Sequence, residues 1–301
     1  MAHSVLITGG AGFVGKHVRV VLEPQGWDVV SIDSEGSHSN GRSLGCDVTN
    51  ASQLEEIFCA HHFERIIHAA SILPTAAKQD PHRATEVNIG GSLNVLEMAA
   101  RFKVERVIYA SSGSVYGTQP ASNFVSEQQP AAPEDIYGAA KRYVETLGEA
   151  YERKFGMEFV SLRIVMVVGS GGSSVTSAWR NQIFECLAAQ KPRDVFIPYS
   201  PDEILPLVHV EDIAGMLVTL AGAKRCSHRI YNSFGDCVHP GELKNEIESL
   251  NPKVRVTLGN AAVTGGARAI DSSRFAHEFG ILPDGFWQRL RKEAQNLRTT
   301  A

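Results

Sequence analysis

The feature that most constrains this chain stands at its start. Val5-Leu6-Ile7 is a short apolar run, glycines follow at 9, 12 and 15, and an amphipathic stretch opens at once with Phe13, Val14 and Val18. Such a run suits a strand buried on both faces of a parallel sheet. The order is therefore strand, tight glycine turn, helix. Gly9 and Gly12 let backbone N–H groups approach a pyrophosphate, which the positive end of the helix favours. Gly15 lets the helix pack closely on the strand. A second run, Val29-Val30-Ser31-Ile32, ends in Asp33, about twenty residues beyond the glycines, where an acid would hold a ribose 2′-hydroxyl. A carboxylate there repels a 2′-phosphate, so NAD is expected rather than NADP. Arg42, further along, leaves dual specificity open.

The same rhythm continues. Leu44 to Val48 reads as a short strand, Ala51 to His61 as a helix, and Arg65 to Ala70 as a strand ending in small residues. Ala69 and Ala70 leave room for a flat adenine or ribose. Pro81 to Lys103 reads as one long helix with Asn88 inside it. That asparagine either faces the sheet and holds a strand or loop, or is solvated. Val104 to Ala110 is a further strand. The alternation predicts an α/β fold, a Rossmann-type doubly wound parallel sheet with right-handed crossovers. Past Val168 comes Gly169-Ser170-Gly171-Gly172-Ser173-Ser174, and the segments shorten. The expected division is a dinucleotide-binding domain over 1–168 and a smaller α/β substrate lobe over 169–301, partly interleaved with it.

Ligands of parallel α/β sheets sit beyond the carboxyl ends of strands. There the chain reads Ser111-Ser112-Gly113-Ser114-Val115-Tyr116-Gly117, and later Tyr137-Gly138-Ala139-Ala140-Lys141. Tyr137 and Lys141, four apart, share one helical face. A phenol ionises near pH ~10, and a nearby ammonium or a nicotinamide's positive ring favours phenolate. Tyr137 is the candidate base for a substrate hydroxyl, with Lys141 lowering its pKa and holding ribose hydroxyls. A serine hydroxyl steadies the same oxygen as it becomes a carbonyl. Alternation puts Ser112 and Ser114 on one side, so periodicity does not choose between them. Leu73, Gly113 and Ser114 are candidates for the substrate pocket, as are the hydroxyls of Ser173, Ser174 and Thr176. His209 and Asp212 read as ties within the lobe. The eleven histidines are scattered without metal-ligand spacing.

Together, Thr8 to Gly15, Asp33, Asp47-Val48, His68-Ala69-Ala70, Val87-Asn88-Ile89-Gly90-Gly91, Ser111 to Gly117 and Tyr137 to Lys141 resemble the extended short-chain dehydrogenase/reductase superfamily. Within it the chain is similar to the NAD-dependent epimerase/dehydratase branch, most strongly over residues 4–170. The resemblance implies NAD as cofactor. It places Gly9, Gly12, Phe13, Val14, Gly15 and Asp33 around it, Asp47 and Val48 at the adenine, and Ala69, Ala70 and Ser71 packed against it. Asn88, Ala110, Tyr137, Lys141 and Ile164 complete that set. The resemblance also implies Ser112 as the catalytic serine, and a homodimer paired through the Tyr137 and Pro81 helices. Sugar-nucleotide members usually carry an asparagine and a Gly-Pro after the catalytic helix. Here Met166 and Ser170 stand at those positions, and Arg180 and Arg193 are the candidates for a diphosphate. The segment from Pro201 to Asp212 resembles members acting on small unactivated substrates, including short-chain L-threonine 3-dehydrogenases.

Composition bounds the rest. The 301 residues are 43% hydrophobic, ample for a sizeable core. A net charge of −4 points to neither nucleic acid nor an anionic membrane. Five irregularly spaced cysteines fit free thiols in a reducing compartment. With no leader before the first strand and no apolar run of membrane-span length, a soluble cytoplasmic protein is expected. The expected activity is NAD-dependent oxidation of a secondary alcohol of a small hydroxy or sugar-like substrate. The alternatives are an NDP-sugar epimerase or dehydratase that retains NAD and, from another class, a non-catalytic NAD-binding regulatory protein.

Overall fold

The computed structural model describes residues 3–35, 42–120, 124–171 and 178–299. Its strands are β1 (Ser4–Thr8), β2 (Asp28–Asp33), β3 (Ser43–Gly45), β4 (Arg65–His68), β5 (Arg106–Ser112), β6 (Phe124–Val125), β7 (Glu158–Ile164), β8 (Met166–Val168), β9 (Arg193–Tyr199), β10 (Leu205–His209), β11 (Ile230–Asn232), β12 (Asp236–Val238), β13 (Val254–Ala261) and β14 (Ala269–Ile270). The helices are α1 (Phe13–Leu22), α2 (Ala51–Ala60), α3 (Pro74–Gln79), α4 (Pro81–Thr85), α5 (Ser92–Arg101), α6 (Ile136–Phe155), α7 (Trp179–Glu185), α8 (Val210–Gly222), α9 (Pro240–Leu250), α10 (Ser273–Phe279) and α11 (Phe286–Thr299).

Seven strands form one parallel sheet in the order β11-β7-β5-β4-β1-β2-β3. The apolar run of β1 is buried on both faces. Val5 and Ile7 join a core with Val18, Leu22, Ile213 and Leu217, while Leu6 joins the opposite core with Leu54, Phe58, Val95 and Val144. Each such side chain contributes about 1.5–3 kcal/mol on burial. The strand order reverses between β1 and β4, which opens a crevice at their carboxyl ends where ligands of such sheets bind. From the C-terminal half, β11, α8 and α10 return to this sheet. The remainder packs around Trp179, Phe184, Ile197, Leu243 and Phe286, under a three-stranded sheet, β12-β10-β8, and the pair β13-β9.

Several boundaries differ from the sequence reading, β4 among them, which ends at His68 rather than Ala70. β3 is shorter than 44–48, because Asp47 leaves the ladder to accept from Thr49 N (2.9 Å) and Thr49 Oγ1 (2.8 Å). β5 continues past Ala110, so Ser111 and Ser112 lie within the strand. The long helix from Pro81 is interrupted by a π-helical turn at Glu86–Gly91, and it ends at Arg101. Close packing accompanies that turn: a Cβ at Gly91 would lie 2.5 Å from Val48 Cγ2. Ser92 Oγ also donates to Asn88 O (2.7 Å). Such π turns concentrate at functional sites.

Candidate active site

The glycine turn is built from backbone alone. Gly9 takes φ +72°, and a Cβ there would lie 2.7 Å from Ala70 N. A Cβ at Gly15 would lie 2.2 Å from Gly9 O, so α1 and β1 meet only through glycine. Gly12 caps α1 without a side-chain hydrogen bond, and the first turn holds no acid. The leading N–H groups, at Phe13, Val14 and Gly15, therefore present the positive helix end to the crevice. Asp33 Oδ2 accepts from Ala11 N (3.0 Å), which places the carboxylate at the edge of the turn. An uncapped helix end, a backbone cradle and an acid beside it fit a dinucleotide.

Across the crevice, Ala69 N donates to Thr8 O (3.1 Å) and Ala70 N to Thr8 Oγ1 (3.2 Å). Asn88 is the inward-facing asparagine of the two options, 2% exposed. Its Oδ1 accepts from Ile72 N (2.7 Å) and Ser71 Oγ (3.1 Å), and its Nδ2 donates to Ile72 O (2.9 Å). The π turn thus holds the loop after β4. Leu73, at the end of that loop, is 52% exposed. Asp47 forms an ion pair with Arg83, and Val48 is buried under Gly91.

Beneath the loop, His68 links Thr8 Oγ1 to its Nδ1 (2.6 Å) and Ser92 Oγ to its Nε2 (2.9 Å). Ser92 gives its own proton to Asn88 O, so Nε2 donates to Ser92 and Nδ1 accepts from Thr8. Burial pushes His68 down to about 3, with the charge of Lys141 adding to the effect, so the ring is neutral.

The hydroxyls and the amine meet where β5 ends against α6. Asp135 caps α6 by accepting from Gly138 N (2.7 Å). Lys141 Nζ donates to Ala110 O (2.8 Å) and lies over the rings of Tyr109 (4.7 Å) and Tyr137 (5.5 Å). The Ser112 hydroxyl stands beside the Tyr137 phenol and favours its ionised form. Ser111 turns the other way and donates to Glu145 Oε1 (2.7 Å). Beyond Ser112 the chain enters a 3-10 turn, Gly113–Tyr116, and Ser114 N donates to Ser112 Oγ (3.1 Å). The turn breaks the alternation, and the serine whose hydroxyl acts on Tyr137 is Ser112. Ile164, ending β7, stands opposite Ser112 in register, and a Cβ at Gly113 would touch Val165.

In the protein alone Tyr137 and Lys141 both shift towards their neutral forms. Burial raises the Tyr137 phenol to about 12; the Ser112 hydroxyl and Arg180 oppose this, while Asp135 adds to it. Burial also lowers Lys141 to about 7, with Glu145 opposing. In the protein alone Lys141 does not make the phenol acidic, because both groups have lost their water and its amine faces a carbonyl and ring faces.

In the second lobe, Arg180 of α7 is enclosed at Nε, with no acceptor there among the described residues. It interacts electrostatically with Tyr199 and with Tyr137. Arg193 is exposed on β9 and joins none of these groups among the described residues. Met166 opens β8, and Ser170 donates to Glu293. His209 also meets Glu293 (3.3 Å), and Asp212 pairs with Arg289 (2.6 Å), so both tie the lobe to α11. Ser173, Ser174 and Thr176 lie outside the described residues. The sequence reading missed Glu145 and its partner Arg163. The signal was present in the spacing, since Tyr137, Lys141 and Glu145 recur every fourth residue on one face.

A glycine turn at a sheet's switch point, with serine, tyrosine and lysine gathered at β5 and α6, defines the extended short-chain dehydrogenase/reductase class. The chain belongs to the NAD dependent epimerase/dehydratase family, which it matches over residues 5–232, and its cofactor is NAD. It is 32% identical over 172 residues to a putative UDP-glucose 4-epimerase of Methanocaldococcus jannaschii, covering 55% of this chain and 56% of that relative. The chain thus spans about half the length of most curated relatives it matches. The mitochondrial L-threonine 3-dehydrogenase of Bos taurus is 28% identical over 265 residues, 84% of this chain and 70% of that protein. A solved UDP-glucose 4-epimerase of Thermus thermophilus, in complex with NAD, has the same fold: TM-score 0.83, 23% identity, covering 99% of this chain and 100% of that one. Among the described residues no helix is long and apolar enough to cross a membrane.

Proposed function

We propose that this chain is an NAD-dependent dehydrogenase that oxidises a secondary alcohol on a small hydroxy or sugar-like compound, with acids favoured. The observation that carries the reading is the convergence of Ser112, Tyr137 and Lys141 in one buried cluster faced by Arg180. The glycine turn and Asp33 hold the dinucleotide. Bound NAD supplies the hydride acceptor and a positive ring whose charge favours phenolate. Tyr137 takes the proton of the substrate hydroxyl, and Ser112 steadies that oxygen as it becomes a carbonyl. Lys141 holds ribose hydroxyls. Arg180, a cation with no carboxylate partner among the described residues, holds the anionic group of the substrate. The long match to a protein named L-threonine 3-dehydrogenase supports a 3-hydroxy amino acid as the first substrate to try.

A second reading, an NDP-sugar epimerase that retains NAD, is supported by the UDP-glucose 4-epimerases among the relatives. In it Arg180 would hold the diphosphate. Residues 169–301 then serve mainly as the substrate lobe. A homodimer is supported by exposed Leu93, Tyr143 and Phe155 on α5 and α6, and a cytoplasmic location by five free cysteines.

The test is a screen of 3-hydroxy amino acids, aldonic and uronic acids and neutral sugars with NAD, read by NADH absorbance. Tyr137→Phe should abolish turnover while NAD still binds. Arg180→Met should raise KM for acids by about tenfold or more, the scale of a lost charge-assisted hydrogen bond. Neutral substrates should be spared. Interconversion of UDP-sugars without NADH accumulation would select the second reading, and no affinity for NAD would end both.

A further inference from the structure

Thr8 and His68 stand side by side in register at the carboxyl ends of β1 and β4, where the strand order reverses. Their side chains belong to a buried chain of hydrogen bonds that leaves the loop after β4 and returns to it. Ala70 N donates to Thr8 Oγ1 (3.2 Å), and Thr8 Oγ1 donates to His68 Nδ1 (2.6 Å). On the far side of the ring, His68 Nε2 donates to Ser92 Oγ (2.9 Å), which donates to Asn88 O (2.7 Å). The Asn88 side chain then holds both backbone groups of Ile72, two residues beyond Ala70. Thr8, His68, Ser92 and Asn88 are each 2% exposed or less. The ring also stacks on Tyr109, with centroids 5.6 Å apart.

The chain has one direction. Thr8 Oγ1 accepts from Ala70 N, so its proton needs an acceptor, and Ser92 gives its proton to Asn88 O, so its oxygen is free for a donor. A neutral imidazole with its proton on Nε2 supplies the acceptor on one side and the donor on the other. An apolar side chain of the same size would strand the buried Thr8 hydroxyl. A buried polar network whose members are all satisfied fixes one arrangement of the elements it joins. Here those elements are the walls of the crevice. Thr8 leads directly into the glycine turn, and a Cβ on Gly9 would lie 2.7 Å from Ala70 N, so turn and loop are in contact.

We propose that His68 is a positioning residue for the dinucleotide: it ties the glycine turn after β1 to the loop after β4 and to the π turn, and so sets the spacing of the crevice walls. The proposal rests on reading that crevice as the seat of NAD.

The experiment is a calorimetric titration of NAD into the folded protein, well below its melting temperature, with urea unfolding measured beside it. Lost stability alone does not move the Kd of a protein that remains folded, so the two readouts separate positioning from bulk packing. His68→Phe keeps an aromatic ring against Tyr109 but gives Thr8 no acceptor and Ser92 no donor. Its Kd for NAD should rise about tenfold or more, the scale of one lost buried hydrogen bond. His68→Asn sets an amide oxygen near the position of Nδ1 and should recover part of that loss. Ser92→Ala cuts the chain on the other side of the ring; its Kd should rise about fivefold, and it carries the comparison where His68→Phe does not fold. NMR of the wild-type ring nitrogens should show a proton on Nε2 and none on Nδ1. A wild-type Kd in His68→Phe or in Ser92→Ala would overturn the proposal, as would His68→Asn binding no better than His68→Phe, or a proton on Nδ1. No turnover is needed, so these outcomes are distinct from failure of the proposed reaction. Failure of the seat itself shows separately, as wild-type NAD affinity in Gly15→Ala.

Discussion

Replacing Asn88 with alanine should loosen the cofactor side of the crevice by an amount the hydrogen bonds set. The side chain gives Ile72 both of its backbone partners, at 2.7 and 2.9 Å, and accepts from Ser71 Oγ at 3.1 Å. A hydrogen bond is worth about 0.5–1.5 kcal/mol net, and a stranded buried polar group costs about 1–3 kcal/mol. Ile72 is half-buried, so water recovers part of the loss, and a total of about 2–4 kcal/mol is expected. For a chain of this size that lowers the melting temperature by about 5–10 °C. The loop concerned runs from Ala70, which lies against Gly9, so the Kd for NAD should rise about tenfold. Calorimetry gives both quantities. Asn88→Asp sharpens the test. It keeps an acceptor for Ile72 N but sets a buried carboxylate against Ile72 O, so its folded pKa lies above the unfolded value of about 3.9. Its destabilisation is therefore full above the folded pKa and fades as pH falls through it, when the protonated acid can donate to that carbonyl. Wild-type melting and NAD affinity in Asn88→Ala, or an Asn88→Asp defect that does not recover in acid, would refute the reasoning.

Gly15→Ala should abolish NAD binding and destabilise the fold by about 2 kcal/mol or more, because the new Cβ would meet backbone at 2.2 and 2.9 Å with no side chain free to move aside; a titration showing wild-type affinity would count against the turn as the cradle. Lys141 gives a pH signature. Unfolded it holds its proton to about 10.5, folded only to about 7, so between those values the unfolded chain binds more protons and stability rises with pH. Wild type should therefore gain on the order of 3 kcal/mol over Lys141→Met between pH 7 and 10 in urea unfolding, and parallel profiles for the two would exclude a buried, depressed amine.

What the amino-acid order reveals here follows how local each effect is. The glycine turn and the Tyr137–Lys141 pair are readable because a run of four to eight residues carries their geometry, and the sheet follows from repeating such units. The choice between Ser112 and Ser114 is not readable by alternation, since alternation ends where Gly113 begins a turn. Nor is the π turn, which no residue propensity announces and which accompanies the contact between Gly91 and Val48, more than forty positions apart. Glu145 recurs at the right spacing, yet a carboxylate on a helix face means little until β7 brings Arg163 to it. The ionisation of Tyr137 has the same origin. Spacing puts a phenol and an amine on one face, but their ionisation depends on how much water the packing of β4, β5 and the second lobe leaves them. That is a property of the whole assembly, and here it drives both groups towards neutrality until positive charge arrives beside the phenol.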